Sequence, residues 1–159
     1  MDDLYRHLEM PPELAMEFIA TFSRAEHALK STSYAKGHEN AVSAAWDIFA
    51  NEIHEDFERI TEMSIVEASN FLLGSPPRKQ VLRNGVVEFK EQTIDQDQKR
   101  TQQLFLMIRT VRNNLFHGGK YLPHGEREAG RNEKLVRASL VILKVGIDLK
   151  EEVRASFEH

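Results

Sequence analysis

Between Asn132 and Ser156 the apolar side chains fall on two sides of one helix. Leu135, Ala138, Ile142, Leu149 and Val153 form one face, and Val136, Leu140, Leu143 and Ile147 form a second. A helix apolar on two sides is buried on two sides, so this segment is either the centre of a bundle or part of a subunit interface.

Pro11 and Pro12 open a first helix, since proline is tolerated in the first turn. Leu14, Phe18, Phe22, Ala25 and Leu29 give it one apolar stripe, which fades near Ser31 or Gly37. Asn40 reads as the N-cap of a second helix, with Val42, Ala45, Trp46, Phe49, Ile53, Phe57 and Ile60 facing inward. A short helix from Ser64 to Leu73 stops at Gly74. Residues 78–92 are the least helical stretch. There Val81-Leu82 and Val86-Val87 flank Asn84-Gly85, which reads as a small hairpin or as an ordered loop. Thr93 with Gln96 fits a capping box for a third long helix carrying Leu104, Phe105, Ile108, Val111 and Leu115. The expectation is an all-α fold, an up-and-down bundle of four to five helices. It forms a single domain over 1–159, with an irregular or hairpin-like insert around 78–92. At 159 residues and 41% hydrophobic content the chain is large enough for one core.

Without cysteine there is no disulfide and no thiolate chemistry, which fits a reducing cytosol. The acidic start, Met1 to Arg6, lacks the apolar core of a secretion signal. No apolar run approaches the ~18 residues of a membrane helix. We therefore expect a cytoplasmic protein that does not enter a membrane. No phosphate-binding glycine loop, Gly-x-Ser-x-Gly elbow or Cys/His zinc spacing occurs. His54 and Glu58 have the spacing of one edge of a metal site, but no second pair supports it. They read as an exposed polar pair, and no metal or cofactor is expected.

The third helix runs into Val111-Arg112-Asn113-Asn114-Leu115-Phe116-His117-Gly118-Gly119-Lys120, the only stretch that reads as chemistry. Arginine is a permanent cation whose planar fork fits a phosphate. Histidine moves a proton near neutral pH. Together they are the minimum for cutting RNA without a metal: a base takes the ribose 2′-OH proton and the arginine offsets charge on the phosphoryl oxygens. With 12 Arg, 7 His and 7 Asn in 159 residues, chance gives roughly 0.5 such Arg–His pairs. Requiring asparagine after the arginine lowers this to roughly 0.02. Arg154 and His159 share the spacing but have Ala155 after the arginine, so they read as a decoy. Residues 99–137 carry nine basic and three acidic side chains, whereas residues 1–62 carry five and thirteen. The one basic block contains the motif, which favours an anionic ligand there.

Arg112 to His117 resembles the Arg-polar-x3-His signature of the HEPN superfamily, small helical domains that include metal-independent endoribonucleases of toxin–antitoxin, phage-defence and RNA-processing systems. Phe22 to Leu29 is similar to a typical first helix of that family. The resemblance implies Arg112 and His117 as the catalytic pair and Asn113 as the polar residue beside the arginine. It also implies a homodimer that brings two motifs into one cleft, and an antitoxin or regulatory partner. Arg109, Lys120 and Tyr121 are the candidate RNA contacts; lysine meets phosphate and tyrosine stacks on a base. On a regular helix His117 lies about 140° around from Arg112. The glycine pair ends the helix and frees the histidine to swing back, or the partner's arginine completes the site. Two other readings remain open. One is a non-catalytic module of the same fold that binds RNA, a nucleotide or a protein. The other is a structural helical interaction protein, in which Arg112 and His117 are each tied to local backbone or carboxylate partners and face no shared cavity.

Overall fold

The computed structural model describes residues 5, 6, 8–116 and 130–159. Along the chain these form α1 (Pro12–Lys30), β1 (Ala35–His38), β2 (Ala41–Ala44), α2 (Trp46–Glu52), α3 (His54–Glu58) and α4 (Met63–Gly74). Then follow β3 (Lys79–Arg83), β4 (Val86–Lys90), α5 (Arg100–Phe116), α6 (Arg131–Asp148) and α7 (Glu151–Glu158). The all-α expectation is overturned. Among the described residues, seven helices are accompanied by two antiparallel two-stranded sheets, so the fold is mixed although mostly helical.

The centre is α6. Its two apolar faces are covered within one chain by α1, α4, α5 and α7, and Leu135, Val136, Ala138, Leu140, Ile142, Leu143 and Ile147 are all buried. Burial on both sides thus answers the choice between bundle centre and interface for this helix. Gly146 allows the closest approach: a Cβ there would stand 2.5 Å from Cζ of Phe105 on α5. In α1, Pro12 occupies the first turn and the whole stripe Leu14, Phe18, Phe22, Ala25, Leu29 is buried.

Three expected helix boundaries fail, each because a local polar or backbone contact outcompetes helical continuation. The second helix does not start at Asn40. Asn40 sits in the turn of the β1–β2 hairpin, where His38 pairs with Ala41 and Ala35 with Ala44. Gly37 there has φ +136°, and Val42, expected inward, is 58% exposed. The amide of Ala45 then donates to the Tyr34 carbonyl (2.8 Å), and α2 begins one residue later.

The third helix does not start at Thr93. Asp95 accepts from the Asp97 amide (3.0 Å), a side-chain turn that competes with helix, and α5 begins at Arg100. The last helix is interrupted at Lys150, whose backbone is extended (φ −127°, ψ 109°). Its ammonium lies 3.1 Å from Glu52 and over the ring of Tyr34, and the Tyr34 hydroxyl donates to Glu52. Burial, followed by the bond to Glu52, pushes the Tyr34 hydroxyl up to about 12. Hydrogen bonds from Tyr34 and Lys150 hold Glu52 below the usual carboxylate range, and the bonds with Tyr34 and then Glu52 raise Lys150.

The β3–β4 hairpin does form within 78–92. Asn84 and Gly85 both have positive φ (51° and 76°), as a two-residue type I′ turn requires. The Asn114 amide, buried on α5, holds the hairpin's entry by donating to the Arg78 carbonyl (2.7 Å).

Candidate functional site

On α5, Phe105, Arg109, Arg112 and Phe116 recur at steps of four, three and four, which puts them on one stripe of the helix. The inner end is aromatic packing: Phe105 stacks on Trp46 (5.8 Å), and Trp46 stacks on Phe22 of α1 (5.1 Å). The outer end carries the charge. The Arg112 guanidinium lies between two rings, 5.4 Å from the centroid of Phe22 and 5.2 Å from that of Phe116. Phe22 is 3% exposed and Phe116 is 62% exposed, so the cation bridges the core and the surface.

Stacking covers the faces of a guanidinium and leaves its edge for hydrogen bonds. One N–H donates to Oδ1 of Asn113 (2.9 Å). No carboxylate or backbone carbonyl among the described residues meets Arg112, so the remaining donors of its fork stay available. The tie to a carbonyl or carboxylate that a purely structural arginine would show is therefore not made by the described residues.

The other cations of the basic block divide sharply. Arg100 pairs with Glu58 (3.6 Å) and donates to Asn70 (2.7 Å). Arg131 donates to the Pro76 carbonyl (2.8 Å), and Arg137 pairs with Glu133 one turn away (2.7 Å). Arg109 is exposed and makes no ion pair among the described residues; it lines a small cavity with Trp46. Among the described residues the block's arginines are thus divided, and those that meet no carboxylate or carbonyl are Arg109 and Arg112.

Of the site residues inferred from sequence, Arg112 and Asn113 come together as a bonded pair, and Arg109 stands one turn before them. His117, Lys120 and Tyr121 lie outside the described residues. Two site residues escaped the sequence reading. Phe116 was legible in principle, because aromatic and cationic side chains four apart meet on a helix surface. Phe22 was not, because its contact with Arg112 spans two helices. His54 and Glu58 are structural ties to α5: His54 Nδ1 lies 3.2 Å from the Thr101 hydroxyl, and Glu58 pairs with Arg100. Among the described residues no group of three His, Cys, Asp or Glu side chains could hold a metal, and no helix is long and apolar enough to cross a membrane.

No protein-family model matches this chain. No curated protein and no solved structure matches it either.

Proposed function

We propose that the chain is a metal-independent endoribonuclease in which Arg112 binds the scissile phosphate and His117 transfers the proton. One observation carries this: the Arg112 guanidinium, held between Phe22 and Phe116 and bonded to Asn113, meets no carboxylate among the described residues. A cation fixed in this way keeps a bidentate edge for a phosphate and loses little freedom on binding it. A base removes the 2′-OH proton, O2′ attacks the adjacent phosphorus, and the 5′ oxygen leaves with a proton. The products are a 2′,3′-cyclic phosphate and a 5′-hydroxyl.

The same site is proposed to work as a homodimer. With α6 covered inside its own chain, the third long helix, α5, is the remaining choice for the interface, and it exposes Leu106 and Phe116. A monomeric mass in light scattering at micromolar concentration would remove the dimer. The alternative of RNA binding without turnover draws on the same exposed aromatic and cation, which suit a stacking platform for single strands.

The experiment is incubation of the purified protein with mixed cellular RNA in EDTA, followed by chemical analysis of the ends. Cleavage to cyclic phosphate and 5′-hydroxyl termini supports the nuclease. Binding without cleavage supports the module, and cleavage to other termini rejects the mechanism.

A further inference from the structure

Trp46 is 3% exposed, and both faces of its indole are covered, by Phe22 at 5.1 Å and by Phe105 at 5.8 Å. Only an edge of the ring is left to line the cavity of about 60 Å3 between the start of α2 and the middle of α5. Among the described residues the indole N–H has no hydrogen-bond partner, and neither does the buried Oε1 of Gln98, a residue that lines the same cavity. Buried polar atoms are almost always paired in folded chains, so an unmatched donor and an unmatched acceptor in one wall call for an explanation.

Arg109 closes the cavity with uncommitted N–H donors, and Leu106 gives it an apolar lip. Asp47, also in the wall, is drawn towards Lys36 at 3.6 Å. The opening lies one turn, about 4.5 Å along the helix axis, from Arg112.

We propose that this cavity is a nucleobase subsite that takes the imide edge of uracil in an RNA strand held at Arg112. Two donor groups, the Trp46 N–H and the Arg109 guanidinium, stand with one acceptor, Gln98 Oε1. The uracil edge is the complement: two carbonyl oxygens flanking one N–H. A single pyrimidine edge also suits the small volume. Gln98 comes from the non-helical segment ahead of α5; both unpaired atoms are buried, so binding requires its side chain to rotate and bring them to the cavity. The assignment of the ligand as RNA rests on the nuclease reading; the subsite itself is tested without turnover.

Trp46 is the only tryptophan in the chain, so its emission reports on this cavity alone. The measurement is a fluorescence titration of the full chain with uridine 3′-monophosphate, adenosine 3′-monophosphate and inorganic phosphate. We expect a saturable change with the uridine nucleotide, about tenfold weaker binding of the adenosine nucleotide, and no change with phosphate. Gln98→Leu and Arg109→Ala should each weaken the uridine nucleotide about tenfold with unchanged far-ultraviolet circular dichroism. No emission change with uridine 3′-monophosphate, or equal affinity for both nucleotides, overturns the subsite. Uridine-selective binding in a chain that cleaves nothing would retain the subsite and sink the nuclease. Cleavage without a Trp46 response would do the reverse.

Discussion

Arg131 donates to the carbonyl of Pro76 at the end of the α4–β3 connection, and Arg100 bridges Glu58 and Asn70, so both cations fasten one element to another. Arg112 lies only twelve residues beyond Arg100 on the same helix, yet it meets two rings and a neighbouring amide. All three belong to the same basic block of sequence. Packing, not charge count, separates cations that fasten the fold from one whose fork meets no carboxylate or carbonyl among the described residues. A buried or half-buried arginine near a carbonyl or carboxylate has its fork occupied; one between ring faces keeps the fork and gives up only its hydration.

The largest expected effect separates the two rings that hold Arg112. Phe22→Ala removes a buried core ring and should cost roughly 3–5 kcal/mol of stability in denaturant unfolding. Phe116→Ala should stay within about 0.5 kcal/mol, because that ring is largely exposed. Equal losses would mean that the stack is not divided between core and surface.

Gly146→Ala comes next. The added methyl meets the Phe105 ring, and overpacking of this kind costs typically about 1–3 kcal/mol. A change in Trp46 emission should accompany it, since Phe105 stacks on that indole.

The arginines themselves should exchange phenotypes. Arg131→Ala strips a donor from the Pro76 carbonyl and should lower stability by about 1–3 kcal/mol, with the salt dependence of RNA binding unchanged. Arg112→Ala should leave stability nearly intact and reduce the slope of log K against log salt by about one. A lower slope for Arg131→Ala would dissolve the contrast.

The smallest effect is at the joint remote from the arginines. The Tyr34 hydroxyl is raised from its ordinary 10.0 to about 12. Its neutral form is thus favoured in the fold, and the stability it adds is present below pH 10 and fades as pH rises from 10 towards 12. Raised Lys150 acts in the same direction, its share being lost above its ordinary 10.5. Lowered Glu52 contributes above its ordinary 4.5 and loses its share as pH falls further. Thermal melting should therefore decline above pH 10, and less so in Tyr34→Phe, which removes one raised group and the main cause that raises the other.

Periodicity made the long helices legible. The stripes of α1 and α5 are buried as spaced, and the two-sided pattern of Asn132 to Ser156 marks the centre of the core. Asn84-Gly85 left a hairpin or an ordered loop open, and the hairpin forms because both residues take the positive φ that its turn requires. What stayed hidden depended on contacts distant in sequence. Lys150 breaks the last helix where its side chain meets Glu52 and Tyr34, and the short β1–β2 pairing carries no apolar alternation to reveal it. At the site, Arg112 and Asn113 were legible as a pair. The shelf beneath them was not, because Phe22 reaches Arg112 from another helix.

The most direct test of the central claim compares the wild type with Arg112→Ala and His117→Ala on mixed RNA in EDTA. We expect cleavage by the wild type, and a loss of roughly 10²-fold or more in each folded variant. Equal cleavage by all three, or none by any of them, would contradict the assignment of Arg112 and His117 as a catalytic pair.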